Sequence, residues 1–115
     1  KSAINAAKKI VKQGVVHCIV TLGEKGSIWC YENSLYRFTI PKVNAIDSTA
    51  AGDVFNGYLA QGITEGKSLK DAILIAHAAS CLSVTIKGAQ TSIPSKKNTM
   101  SFLKKNKGFL IEKLE

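Results

Sequence analysis

From Leu69 to Val84 the chain is apolar almost all round: Ala72, Ile73, Ile75, Ala76, Ala78, Ala79 and Leu82 leave no polar face of ordinary width. Ser68 stands ahead of this run as an N-cap, and Asp71 three residues on is an acidic analogue of the capping box. The spacing predicts a helix over 69–84. A helix with so little polar surface is buried between layers rather than laid on one face of a core. His77 interrupts it, and by pattern alone a lone histidine there is a core residue with one satisfied hydrogen bond.

The elements around this helix read as α/β. Ser2 to Gln13 carries an apolar stripe of Ala3, Ala6, Ala7, Ile10 and Val11, and Gly14 is a plausible stop. Val15 to Leu22 is a β-branched run, read as a strand buried on both faces. A helix followed by a buried strand points to a parallel sheet. Gly23 to Gly26 makes a tight connection, Ser27–Glu32 and Leu35–Ile40 read as two further strands about a turn at Asn33-Ser34, and Pro41 ends the last. That meander predicts a mixed, mostly parallel sheet. Gly52 to Thr64 reads as a helix with Val54, Phe55, Tyr58, Leu59 and Gly62 on one face, broken by Glu65-Gly66-Lys67. Lys87–Pro94 reads as a loop, Ser95–Asn106 as an amphipathic helix with Met100 and Leu103 inward, and Gly108 onward as a mobile tail.

Composition narrows the classes. At 115 residues the chain is one domain's worth, with no repeat or linker. No apolar run approaches the ~18 residues of a membrane span, so no membrane partner is expected. The N-terminus is polar and helix-like, unlike a signal peptide, and a start at Lys1 suggests a fragment or a processed chain. Cys18, Cys30 and Cys81 are odd in number, lie in apolar stretches and form no Cys-x-x-Cys pair. Buried free thiols in a reducing cytoplasm are expected, not disulfides or a metal site. The net charge of +8 permits anionic ligands. Its lysines lie along helix faces and in two end clusters without interleaved aromatics, which favours a solvated basic surface over nucleic-acid binding.

The stretch with most chemistry is Asp47-Ser48-Thr49-Ala50-Ala51-Gly52-Asp53. A short extended segment, Val43 to Ile46, enters it and a helix leaves it. Small residues let the backbone turn tightly and bring N–H groups close to a bound group. The first N–H groups of a helix lack intrahelical partners and sit at the positive end of its dipole, which makes an anion site. Asp53 falls at or just inside the helix start, where a carboxylate could take a proton from a hydroxyl while the loop holds a phosphoryl group. The same residues also fit an ordinary N-cap followed by a dipole-favoured charge.

Three ordered motifs together resemble the ribokinase-like (PfkB-type) carbohydrate kinase family: Thr21-Leu22-Gly23-Glu24-Lys25-Gly26, Asp47 to Gly57, and Lys87-Gly88-Ala89-Gln90-Thr91-Ser92-Ile93-Pro94. His77 is a fourth match. The similarity runs from about Ala3 to Phe102 and covers the C-terminal part of such kinases. Many relatives carry Gly where this chain has Ala50.

The resemblance implies a three-layer α/β/α fold, with 1–115 as a single partial domain carrying the nucleotide-binding and catalytic part. It implies transfer of the γ-phosphoryl group of ATP to a sugar hydroxyl, most expectedly of ribose, with a fructokinase, a nucleoside kinase or a non-catalytic nucleotide-binding module as alternatives. Asp53 would be the base, and Ala50, Ala51 and Gly52 the loop that holds the phosphoryl group. Thr21, Leu22, Gly23, Glu24, Lys25, Gly26, Gly52, Asp53 and His77 would face the nucleotide, His77 by packing and hydrogen bonding. Mg²⁺ would accompany the phosphates. A potassium ion would be held by Asp47, Thr49, Ser83, Ile86, Gly88 and Ser92, mainly through backbone oxygens. Residues that choose the sugar lie in the family's N-terminal part, so the chain alone is expected to be inactive and the intact parent a homodimer.

Overall fold

The computed structural model describes residues 2–85 and 93–115. The chain divides into two compact units: Lys1–Ile40 with Leu110–Glu115, and Pro41–Phe109.

The first unit is a helix on a four-stranded sheet. Helix α1 (Ser2–Lys12) is followed by β1 (His17–Thr21), a single 3-10 turn at Gly23–Lys25, β2 (Ser27–Tyr31) and β3 (Ser34–Thr39), and β4 (Leu110–Lys113) returns from the far end of the chain. The order is β1-β2-β3-β4, and every pairing is antiparallel. This corrects the mostly parallel sheet expected from sequence. Strands joined by a two- or five-residue connection can only fold back on each other, whereas a parallel pair needs a crossover of a dozen or more residues. The α/β class itself stands.

Strand alternation sorts the sheet's two faces. Cys18, Ile28, Cys30 and Leu35 point to one side and pack with Ala7 of α1, flanked by Ala3, Ile4, Val11, Val20 and Leu22. Ile4 therefore replaces Ala6 and Ile10 in the predicted stripe, and Ile10 is exposed. The other side carries a row of rings: His17 stacks on Tyr31 at 4.5 Å and Trp29 on Tyr36 at 4.8 Å, while Trp29 Nε1 donates to His17 Nδ1 at 3.2 Å. The expectation of a β1 buried on both faces fails. Only Cys18 is buried, and Val15 and Val16 lie outside the strand, 45% and 62% exposed. In this sheet β1 is an edge, so a β-branched run does not guarantee cover.

The predicted mobile tail is also corrected. Residues 110–113 form β4, in register with β3 so that Ile111 faces Phe38. Beyond it Leu114 and Glu115 donate their amides to the Leu35 carbonyl, Leu35 returns its amide to Glu115, and Lys8 pairs with the Glu115 carboxylate at 2.6 Å.

The second unit is helical: α2 (Ala51–Thr64), α3 (Leu69–Ser83) and α4 (Lys96–Lys105). Val54 and Phe55 of α2 are buried, as is nearly every residue of α3 from Ala72 to Ala79, as its all-round apolar pattern predicts. At Gly62 the two helices pack so closely that a Cβ there would lie 2.9 Å from the Ala72 Cβ. Ser68 caps α3 by accepting from the Asp71 amide at 3.2 Å, and Ser95 caps α4 through Asn98 at 3.1 Å. On α4, Thr99 points inward and Met100 is exposed, which corrects the predicted place of Met100, while Leu103 is half-buried. The three thiols are free and buried, and burial pushes Cys30 up and Cys81 to about 11. Among the described residues no helix is long and apolar enough to cross a membrane.

Candidate active site

Residues 46–50 form a loop that runs straight into α2, whose first turn holds Ala51, Gly52 and Asp53. Its N-cap position is Ala50, which has no side chain to accept a hydrogen bond. Asp47 does not cap the helix either. Its Oδ1 accepts from the Thr49 amide at 3.0 Å and from Thr49 Oγ1 at 2.5 Å, a local turn of the kind short polar side chains favour. Among the described residues no side chain caps the start of α2.

Of the first-turn amides, that of Ala51 donates to the Ser48 carbonyl at 3.2 Å, and that of Val54 already makes the first full helical bond, to Ala50 at 2.9 Å. The amides of Gly52 and Asp53 lie between them and have no hydrogen-bond partner among the described residues. Both residues are exposed. A Cβ built on Gly52 would meet no atom within 4 Å, so nothing in the chain itself crowds that position. An anion arriving here meets two aligned donors at the positive end of a 14-residue helix. The Asp53 carboxylate stands in the same turn.

The loop hangs from the end of α3. The Val84 carbonyl accepts from the Ile46 amide at 2.7 Å and the Asp47 amide at 3.0 Å, and Ser80 Oγ donates to the Ala51 carbonyl at 3.1 Å. Ser83 is buried, its hydroxyl turned back onto the Ser80 carbonyl at 2.7 Å. Its own carbonyl accepts no hydrogen bond among the described residues. Asp47, Thr49, Ser83, Ala50, Ala51, Gly52 and Asp53 thus belong to one neighbourhood of the second unit. Ile86, Gly88 and Ser92 of the predicted cation set lie outside the described residues.

His77 is buried on α3, two turns before the helix end, its ring 4.7 Å from that of Phe55. Burial pulls its pKa down to about 4, so its ring is a neutral imidazole at pH 7. That fits packing and hydrogen bonding. Thr21, Leu22, Gly23, Glu24, Lys25 and Gly26 belong to the first unit, where the Leu22 amide donates to the Gly26 carbonyl at 2.8 Å and closes the turn. Sequence reasoning missed Ser80 and Val84. One is a serine in an apolar helix and the other acts through its backbone, so neither leaves a signal in the pattern.

A tight, small-residue helix start with a carboxylate beside it, on an α/β chain, is an arrangement that can receive an anionic group. The chain belongs to the pfkB family of carbohydrate kinases, which matches residues 1–96. It is 41% identical to a ribokinase of Haemophilus influenzae over 103 residues, which cover 90% of this chain and 34% of the relative. A solved ribokinase of Thermotoga maritima superposes with a TM-score of 0.82 at 45% identity, covering 87% of this chain and 34% of that one. An Arabidopsis thaliana ribokinase solved with ribose and ATP gives 0.81 at 35% identity, covering 90% and 34%. Deoxyribokinases and a fructokinase are also among the similar proteins. The chain spans about a third of the length of the curated relatives it matches.

Proposed function

We propose that this chain is the nucleotide-binding and catalytic part of an ATP-dependent kinase that phosphorylates a sugar hydroxyl, with ribose as its sugar. The observation that carries the reading is the first turn of α2: two amides without a partner among the described residues, Gly52 with open space where a Cβ would stand, and the exposed Asp53 beside them. Family membership supplies the carbohydrate kinase class. The ribokinases among its relatives favour ribose over the deoxyribose or fructose that others are named for.

In the proposed reaction the sugar oxygen bonds to the γ-phosphorus of ATP, the bond from that phosphorus to the ADP oxygen breaks, and the hydroxyl proton passes to Asp53. The amides of Gly52 and Asp53 stabilise charge on the transferring group, each worth about 3 kcal/mol in a water-excluded site. Mg²⁺ would ride on the phosphates and water. Asp47 and the Ser83 carbonyl suit an oxygen-seeking monovalent cation, which would order the loop between them. Thr49, engaged by Asp47, would contribute its carbonyl. The cytoplasm, where ATP is abundant, is the proposed compartment.

The test is ATP binding to the chain by calorimetry, in potassium and in sodium. Saturable binding, tighter in potassium, is expected, with Asp53→Asn keeping affinity within a few-fold. In a polypeptide joining this chain to a relative's sugar-binding part, Asp53→Asn is expected to abolish ribose-dependent ADP formation. Retained turnover would remove Asp53 from the role.

A further inference from the structure

One turn of α3 holds both ends of the loop that leads into α2. Ser80 and Val84 are four residues apart, so they share a face of the helix end. The Val84 carbonyl takes the amides of Ile46 and Asp47 where the loop begins, and the Ser80 hydroxyl takes the Ala51 carbonyl where it ends. Ser80 is itself fixed, since its carbonyl accepts from Ser83 Oγ at 2.7 Å and from the Val84 amide at 3.3 Å.

The Ala51 carbonyl and the Gly52 N–H belong to one planar peptide unit. A bond made to the oxygen at one end fixes the direction of the hydrogen at the other. It also polarises the amide, since hydrogen bonds in a chain strengthen one another. Gly52 is the residue least able to hold its own backbone, because it carries no Cβ. The helical bond from the Phe55 amide already reaches the Ala51 carbonyl, and Ser80 adds a second donor that braces the same peptide from behind.

We propose that Ser80 is a positioning residue that sets the Gly52 N–H for its bound phosphoryl group. This rests on the phosphate reading of the loop. Ser80 touches no ligand; it acts through the Ala51–Gly52 peptide. An alanine at 80 leaves α3 its helix propensity and leaves the Ala51 carbonyl with only its helical bond from the Phe55 amide, whereas threonine keeps a hydroxyl on the same carbon.

The experiment uses the whole chain, as wild type, Ser80→Ala and Ser80→Thr. Two readouts are taken on each: the amide proton and nitrogen shifts of Gly52 by NMR without ligand, and ATP affinity by calorimetry. Ser80→Ala is expected to move the Gly52 amide resonance and to weaken ATP binding about tenfold, the loss of one well-placed hydrogen bond. Ser80→Thr is expected to restore both. A Gly52 resonance unmoved in a folded Ser80→Ala chain overturns the proposal, as does undiminished ATP affinity in that variant. If the wild-type chain takes no ATP, the phosphate reading itself fails, and the Gly52 shift still decides whether Ser80 sets that peptide. Should Ser80→Ala not fold, Ser80→Cys is the second variant, with its weak donor expected to give an intermediate shift and affinity; a shift and affinity equal to wild type overturn the proposal.

Discussion

Two glycine-bearing turns were expected to face the nucleotide, and they obey different masters. In the β1–β2 turn, Gly26 has φ +90°, and a Cβ there would lie 1.9 Å from the Phe38 carbonyl oxygen. The neighbouring strand alone demands glycine, whatever binds nearby. At the start of α2, Gly52 has no positive φ and a Cβ would meet nothing within 4 Å. No feature of the described chain requires glycine there, which leaves the position open to the close approach proposed for a phosphoryl group. A glycine explained by its own fold says little about function; one that its fold does not explain says more.

The largest expected effect breaks the first half of that contrast. Gly26→Ala must push the β3 backbone aside as well as accept a left-handed conformation, so a loss of more than about 3 kcal/mol is expected. Denaturant titration reads it directly. A midpoint near wild type would mean that the turn is as open as the start of α2.

The second unit is stabilised by burial on α3, and its weak point is His77. The ordinary histidine pKa of 6.5 falls to about 4 on folding because burial penalises the charged ring. The unfolded chain therefore binds more protons between those values, and stability rises with pH across them. It is full above about pH 6.5, declines as pH falls toward 4, and has lost about 3 kcal/mol there. Urea unfolding at pH 7 and pH 4 measures the slope from all groups, and His77→Gln isolates this one by flattening its share. An unchanged slope in that variant would mean that the ring is not paying to stay neutral.

Most of this architecture was legible because it depends on local pattern. Ser68 and Ser95 signal their helices, and the apolar circumference of α3 is a statement about burial that any fold would have to honour. What escaped depends on neighbours far along the chain. Leu110 to Lys113 is mostly exposed and short, and it is a strand only because the free edge of β3 offers it partners. Val15 and Val16 look like core and are not, since no strand flanks β1 on that side among the described residues. At the site, Asp47 to Asp53 were legible as chemistry but not as geometry. Whether Asp47 caps the helix or turns on Thr49 is a contest between local hydrogen bonds that composition does not decide.

A smaller effect tests how the start of α2 is held at its other end. Tyr58 Oη donates to the Pro94 carbonyl and lies 3.4 Å from Thr99 Oγ1, which ties α2 to the residues entering α4. Tyr58→Phe keeps the ring and leaves the buried Thr99 hydroxyl and the Pro94 carbonyl to find other partners. A loss of about 1–2 kcal/mol is expected in thermal or urea unfolding. A loss in stability with unchanged ATP affinity would place Tyr58 in the scaffold, distinct from the Ser80 brace.

The finest test sets two glycines of the same helix against each other. Gly52 and Gly57 are both exposed, and neither would bring a Cβ within 4 Å of another atom. In each, alanine removes backbone freedom from the unfolded chain and should raise stability by about 0.5–1 kcal/mol. If open space were all that mattered, the two variants would behave alike. They should part on ATP: Gly57→Ala is expected to bind as wild type does, while a methyl group at 52 would stand where the proposed phosphoryl group approaches and is expected to cost about tenfold or more in affinity. Equal affinities would return Gly52 to the ordinary run of helix glycines and leave the start of α2 with no more claim on a ligand than the turn at Gly26.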